Sequence, residues 1–233
     1  LGENTIARTA VAVLVAVVLG AWHAVGWKGG MAADRLPVKA SRFLNRRQVP
    51  EPTYNVYEWG GYLIWQRWPE ARVFIDGRCL VYGDRVIGQA RRVATGGEGW
   101  RKILDRYGVR TVLTKYRRHR SEHFFQGGEW ECVHWDDTAV VAVRAGTGRG
   151  LRRYGLTNPV TFDRLLEDGD AKAILRELDV VLNADPACWT AWTFRARALL
   201  ALSQEEAENA KLKREALMAA GRAIRLSDGM APA

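Results

Sequence analysis

Four consecutive residues of this 233-residue chain have the composition of a small binding site. Glu58, Trp59, Gly60 and Gly61 place a carboxylate and an indole beside two glycines, just before the helix-like sequence YLIWQRW. Glycine lets a ligand approach the backbone amides at a helix N-terminus, which attract anions. The same glycines would also let the helix pack closely on a sheet, and tryptophan is common in cores. Both interpretations remain open from the sequence.

A second cluster, Asp76 and Arg78 around Gly77, follows the strand-like sequence RVFID. If that sequence is an interior strand, Asp76 lies at its carboxyl end, where open α/β sheets bind ligands. Gly77 would then allow a sharp turn, and Arg78 would project from the same edge. Alternatively, Asp76 caps the next segment, and Arg78 pairs with it or with Glu58.

The patterns around these clusters alternate between helix and strand, which predicts an α/β domain over residues 37–145. Asp136 and Asp137 separate two apolar strands and favour a tight hairpin. We therefore expect a three-layer α/β domain with a mixed sheet. The predicted helices are PVKASRFLNRR, GGYLIWQRW and GWRKILDRYG, and the predicted strands are YNVYE, RVFID, VRTVLT, EWECVHWD and TAVVAVR.

The N-terminal part is strongly apolar and predicts a transmembrane helix over residues 5–27. The run from Thr9 to Gly26 has no Asp, Glu, Lys or Arg. At about 1.5 Å per residue it reaches roughly 27 Å, close to the thickness of a bilayer core. A cleaved signal peptide and a buried soluble helix are the alternatives. The basic residues downstream of the span, Lys28 to Arg47, favour a cytoplasmic soluble part by the positive-inside rule.

The C-terminal part differs in charge and pattern from the rest. The net charge is +9, yet residues 151–233 carry twelve basic and twelve acidic side chains, so the excess lies upstream. Glycines over residues 146–158 predict a linker, and residues 159–229 predict successive helices. These helices resemble tetratricopeptide repeats, although the two similar sequences in this part lie farther apart than one usual repeat. The residues that carry this resemblance are Pro186, Trp192, Ala196 and Ala207.

Metal and nucleic-acid sites are not favoured. Cys79, Cys132 and Cys188 are far apart and contain no CxxC pair, so neither a disulfide framework nor a zinc site is indicated. HRSEH, from His119 to His123, matches a zinc-protease pattern, but neighbouring lysine and arginine disfavour a cation. We expect no metal and no cofactor. For the basic sequences near Arg91 and KYRRHR we expect membrane headgroups or a lipid-linked phosphate rather than nucleic acid.

The order of these sequences resembles that of a known group of membrane proteins. From about Thr9 to Arg144, the span, PVKASRFL, YNVYEWGGYLIW, RVFIDGR and GWRKILDRYGV look like the C-terminal extramembrane region of bacterial polytopic proteins grouped with C-type glycosyltransferases. Glu58 to Tyr62 is also similar to the acceptor-binding motif of oligosaccharyltransferase catalytic subunits, with an extra glycine. The resemblance implies a membrane protein whose soluble part is extracytoplasmic, against the charge pattern.

Two functions follow as expectations. In the first, the chain is the C-terminal soluble domain of an integral membrane protein of the lipid-linked-sugar glycosyltransferase type, inactive alone because the resemblance puts the catalytic carboxylate in an earlier loop. Its partners would be membrane lipid and a lipid-linked phosphate or sugar. The proposed binding residues are Glu58, Trp59, Gly60, Gly61, Asp76 and Arg78. In the second, the chain is a non-catalytic membrane-anchored module whose helical tail binds a protein partner.

Overall fold

The computed structural model describes residues 35–115, 121–205 and 209–228. The predicted transmembrane helix at residues 5–27 lies outside these ranges. Among the described residues, no helix has both the length and the apolar character needed to cross a bilayer.

Helices and strands alternate through the first two thirds of the described chain, and helices alone follow. Two single-turn 3-10 helices, Tyr57–Trp59 and Glu122–Phe125, add to the regular elements. The elements in chain order are α1 (Val38–Arg46), β1 (Thr53–Asn55), α2 (Gly60–Arg67), α3 (Cys79–Thr95), α4 (Trp100–Arg106), β2 (Thr111–Lys115), β3 (Trp130–Trp135), β4 (Ala139–Arg144), α5 (Phe162–Asp168), α6 (Ala171–Ala184), α7 (Trp189–Glu205) and α8 (Ala210–Asp228).

The four strands form one mixed sheet in the order β1-β2-β4-β3. β1 and β2 are parallel, with Tyr54 opposite Val112, while β4 is antiparallel to both β2 and β3. Asp136 closes the β3–β4 hairpin because its Oδ1 accepts the backbone N–H groups of Thr138 and Ala139, at 2.7 and 2.9 Å. The α/β class, the mixed sheet and this hairpin are confirmed.

Helices cover both faces of the sheet because its strands are apolar on both sides. Leu113, Val141 and Val143 face α1 and α2 on one side. Val112 and Ala142 face α3 and α4 on the other side. The second of these faces also carries the helical tail, which packs on a different part of the sheet.

A bulge in β3 decides which side chains meet the tail. The pairing register shifts between Cys132 and His134, so Val133 is an extra residue in the strand. As a result, Val133 packs with the α1 face, and His134 stacks on Phe43 of α1. Trp135 returns to the face of Cys132 and packs against the tail helices.

The prediction of a strand at RVFID is wrong. Residues 72–76 run beside β1 but are not part of the ladder. The side chain of Asn55 takes the place of a strand: its Oδ1 accepts Phe74 N–H at 2.8 Å, and its Nδ2 donates to Ile75 O at 2.8 Å. Because one amide side chain satisfies both backbone groups, residues 72–76, which we call the extended segment, are held beside β1 without a strand partner.

Two further expectations need correction. The YNVYE strand is shorter than predicted, since β1 ends at Asn55 and the chain turns into the 3-10 helix Tyr57–Trp59. α3 was not predicted. Its sequence contains Gly83, which sits at a left-handed φ of 66° and kinks the helix, so helical periodicity is interrupted.

The tail is attached to the sheet by apolar and polar contacts. The predicted linker lies against β3, where Tyr154 N–H donates to Cys132 O at 2.8 Å. Glu177 of α6 accepts the backbone N–H of Thr157 at 2.7 Å. Lys39 of α1 contacts Asp185, with Nζ 2.5 Å from Oδ2. Burial lowers the pKa of Lys39, but the hydrogen bond and the charge of Asp185 outweigh it, so the pKa is raised. These contacts fix the helices against the α/β part, while the repeat-like character of the tail stays a prediction.

Candidate functional site

Asp76 is a buried carboxylate with both oxygens in use. Its Oδ1 accepts the backbone N–H and the Nε–H of Arg78, each at 2.9 Å. Its Oδ2 accepts Arg78 Nη2 at 2.7 Å and the hydroxyl of Tyr82 at 2.6 Å. The carboxylate therefore joins the end of the extended segment to the first turn of α3.

This pairing holds Asp76 ionised. The hydrogen bonds from Arg78 lower the pKa of Asp76 well below the usual range. Burial alone would raise this pKa, but its effect is smaller, and the hydrogen bond from Tyr82 lowers the pKa further. The guanidinium of Arg78 remains largely exposed on its outer side. Of the sequence-derived alternatives for this cluster, pairing between Arg78 and Asp76 is the arrangement present.

The two glycines have different surroundings. A Cβ on Gly60 would lie 2.1 Å from Ile75 O and 2.5 Å from Asp76 Cα, so α2 approaches the extended segment as closely as the backbone allows. Gly61 is exposed, with no atom within 4 Å of an added Cβ. Gly60 thus serves close packing, and Trp59 beside it is buried, donating its Nε1–H to Arg35 O at 2.9 Å.

A cavity of about 520 Å³ opens beyond the carboxyl ends of the parallel strands β1 and β2. Open α/β sheets bind ligands in this position. One wall is α3, which is tied to β1 by a hydrogen bond from the hydroxyl of Tyr54 to Ala90 O at 3.2 Å. The lining residues are Tyr54, Val56, Tyr57, Glu58, Ile75, Cys79, Ile87, Ala90, Arg91, Ala94, Thr95, Thr114 and Lys115.

Three charged side chains line this cavity, which is otherwise mostly apolar. Lys115, at the end of β2, contacts Glu58 with Nζ 2.8 Å from Oε1. Arg91 projects from α3. Within the ranges that the structure describes, its guanidinium has no carboxylate partner. The charges therefore leave a net positive site suited to an anionic group, with apolar walls for an attached carbon chain.

A tyrosine and a cysteine meet at the edge of the cavity. The hydroxyl of Tyr57 lies 2.8 Å from Cys79 Sγ, and both side chains are exposed. The hydrogen bond to Cys79 raises the pKa of Tyr57. The pair joins the 3-10 helix after β1 to the start of α3 at the edge of the opening.

The structure brings together only part of the sequence-predicted site. Glu58 lines the cavity, whereas Trp59, Gly60 and Gly61 do not. Asp76 and Arg78 do not line it, although the neighbouring Ile75 does.

From the sequence, the basic residues near Arg91 and from Lys115 onward were expected to meet headgroups or a lipid-linked phosphate, but Arg91, Lys115 and Cys79 were not placed in one cavity. Lys115 ends a strand that was predicted, so its position beside the end of β1 was the available signal. Arg91 could not be placed beside Lys115, because α3 was not predicted.

The described residues give no support for a metal centre. Among them, no three His, Cys, Asp or Glu side chains are grouped closely enough to hold an ion. His119 of the HRSEH sequence lies outside the described residues. His123 Nε2–H donates to Val93 O at 2.9 Å, and the ring packs edge-on against Trp100. Burial lowers the pKa of His123. His123 is therefore part of the packing around α3.

Comparison of the chain with protein-family models, with curated proteins and with solved structures finds no match.

Proposed function

We propose that residues 37–145 form a ligand-binding extramembrane domain of a membrane protein of the lipid-linked-sugar glycosyltransferase type. The cavity beyond β1 and β2 binds the phosphate end of a lipid-linked ligand and the first part of its apolar chain. The observation that carries the proposal is the combination of Arg91 and Lys115 with apolar walls in one cavity of about 520 Å³.

The position of the cations supports a phosphate group. Arg91 offers a planar fork of N–H donors, which matches the geometry of phosphate oxygens. Lys115 is half-buried and is held at the end of β2 by Glu58, so its ammonium group is ordered before a ligand arrives. Glu58 is also the one lining residue within the sequence that resembles an acceptor-binding motif. In this proposal it orients Lys115.

The role is binding rather than bond cleavage. The lining carboxylate is already paired with a lysine, and the buried carboxylate of Asp76 is saturated by Arg78 and Tyr82 outside the cavity. A general base needs a lone pair directed at the substrate proton. The described cavity therefore positions a ligand and supplies no base for the transfer itself.

The test is a titration of the full chain in neutral phosphatidylcholine nanodiscs with geranyl phosphate, and with geraniol as the uncharged control. We expect geranyl phosphate to bind and Arg91→Gln or Lys115→Gln to weaken binding about 10-fold each, as for a lost hydrogen bond to a charged group. Arg92→Gln is the matched control, because Arg92 is exposed on the same helix outside the cavity. Equal affinities of the Arg91 and Arg92 variants, or binding of geraniol equal to that of its phosphate, would contradict the proposal.

One observation favours the second candidate function, a module that associates through its helical tail. α8 exposes Leu217, Met218 and Ile224, and a groove of about 920 Å³ lies between α8 and the preceding tail helices. Side chains of both signs border the groove, including Arg222 and Glu215, which suits a self-complementary contact with a second copy.

The second function is tested by the mass of the full chain in detergent. We expect Leu217→Ser with Ile224→Ser to lower self-association without shifting the unfolding temperature, since both side chains are exposed. A monomer before and after the substitutions would rule out this surface as the contact.

A further inference from the structure

We propose that a second site, which we call the α1 pocket, binds a phosphate group. It is a cavity of about 400 Å³ between α1, the end of β3 and the end of α6. The residues that carry the argument are Arg42, Arg46, Arg47, His134 and Tyr154. None of them lines the cavity beyond β1 and β2, so this site is independent of the function proposed above.

The cations of the α1 pocket outnumber the anions available to them. Arg42, Arg46 and Arg47 are exposed, and within the described ranges none of them has an ion-pair or hydrogen-bond partner for its guanidinium. The carboxylate that lines the pocket, Asp185, is already paired with Lys39. Three arginines within six positions therefore create a positive field that is not neutralised locally, and a bound anion would relieve their mutual repulsion.

The floor of the pocket is rigid and partly polar. His134 stacks on Phe43, with ring centroids 4.6 Å apart and an angle of 13° between the rings. Its Nε2 lies 3.4 Å from Asp136 Oδ2, which fixes the orientation of the ring. The bulge in β3 produces this arrangement, because it turns His134 towards α1 and leaves Trp135 packed beneath. A phosphate group would therefore meet an ordered floor beside the three exposed arginines.

Tyr154 supplies a neutral donor at the same place. It is half-buried, its backbone is fixed to Cys132, and its hydroxyl has no hydrogen-bond partner among the described residues. Burial raises the pKa of Tyr154, while Arg152 and Arg47 oppose that rise. The hydroxyl stays protonated at neutral pH, so it can donate to a phosphate oxygen beside the guanidinium groups.

The position of α1 in the chain gives two sources for the phosphate. α1 begins twelve residues after Gly26, where the apolar N-terminal run ends. At no more than about 3.5 Å per residue, this connection spans at most roughly 40 Å. If that run lies in a bilayer, anionic headgroups are within reach of the α1 pocket. Free phosphate or a soluble phosphate ester is the other source.

The experiment measures how fast phenylglyoxal modifies each arginine of the full chain, by mass spectrometry of peptides. In phosphatidylcholine nanodiscs, 10-fold or more protection of Arg42, Arg46 and Arg47 on adding inorganic phosphate, relative to chloride at equal ionic strength, supports a site for the free anion. Protection in phosphatidylglycerol nanodiscs without added phosphate supports a lipid headgroup. Protection in both arms supports a site open to either. The exposed Arg92 is the internal reference and should react at an unchanged rate.

Two variants make the result specific to the α1 pocket. Tyr154→Phe removes only the hydroxyl and should reduce the protection about 3-fold or more, whereas Tyr57→Phe, at the other cavity, should leave it unchanged. Absence of protection in both arms, or equal protection of Arg92, overturns the proposal. Because the readout does not involve the cavity beyond β1 and β2, failure of geranyl phosphate to bind there leaves this test unaffected.

Discussion

Replacing Gly60 by alanine tests the close approach of α2 to the extended segment. Gly60 has helical backbone angles, φ −58° and ψ −45°, so alanine is conformationally acceptable there. The obstacle is steric: the new Cβ would lie 2.1 Å from Ile75 O, whereas C–H···O contacts close to about 3.3 Å. Either α2 or the extended segment must therefore move by roughly 1 Å.

The cost can be worked out from the contacts that move. Overpacking of this kind costs about 1–3 kcal/mol. Ile75 O is also the acceptor for Asn55 Nδ2, and loss of that hydrogen bond adds about 1 kcal/mol. The higher helix propensity of alanine returns up to about 1 kcal/mol. The net destabilisation is about 1–3 kcal/mol, which lowers the unfolding temperature by about 2–12 °C for a unit of this size.

The assay is thermal unfolding of the full chain followed by near-ultraviolet circular dichroism. Gly61→Ala is the matched control, because Gly61 is exposed on the same helix and an added Cβ meets nothing within 4 Å. We expect the control to unfold at the same temperature or higher, by up to about 1 kcal/mol of added stability. If Gly60→Ala and Gly61→Ala unfold alike, the close contact between α2 and the extended segment is refuted.

Three further predictions concern polar contacts. Asn55→Leu should destabilise the chain by about 2–4 kcal/mol and speed amide exchange at Phe74, because two buried backbone groups lose their partner; unchanged exchange would contradict this role. Asp76→Asn should cost about 2 kcal/mol at pH 7. Since the pKa of Asp76 is lowered in the folded state, the stability it contributes is complete above about pH 4 and is lost as the pH falls through the folded pKa. The urea midpoints of wild type and variant should therefore differ at pH 7 and approach each other in acid. Lys39→Ala should lower the free energy of unfolding by only about 0.5 kcal/mol, because the contact of Lys39 with Asp185 is partly exposed. The difference in stability between wild type and variant should vanish in about 1 M NaCl, which screens the ion pair.

Local patterns predicted most elements of the fold. α1, α2 and α4 were found from their apolar spacing, and Gly108 follows α4 with φ 61°, as expected of a C-terminal cap. β3 and β4 were found because the hairpin signal at Asp136 is local in sequence. These elements depend on neighbours within a few residues, which a single sequence shows.

The errors occur where a distant side chain decides the structure. RVFID has the composition of a strand, but the group beside it is the amide of Asn55, about 20 positions earlier, and no pattern in RVFID reveals that. Consequently the carboxyl end of a strand was predicted at Asp76, whereas the parallel pair ends at Asn55 and Lys115. Glu58 was singled out from the sequence because it stands beside Trp59 and two glycines just before α2.

The amide of Asn55 also has a consequence for association between copies of this chain. β1 is the outermost strand at its end of the sheet, and an open strand edge can recruit a strand from another chain. Here the flank of β1 is occupied by Phe74 and Ile75, bound through a side chain that cannot propagate a ladder. The sheet therefore stops at β1, so that intermolecular strand addition, and the fibrous assembly to which it leads, is blocked on that side without a fifth strand.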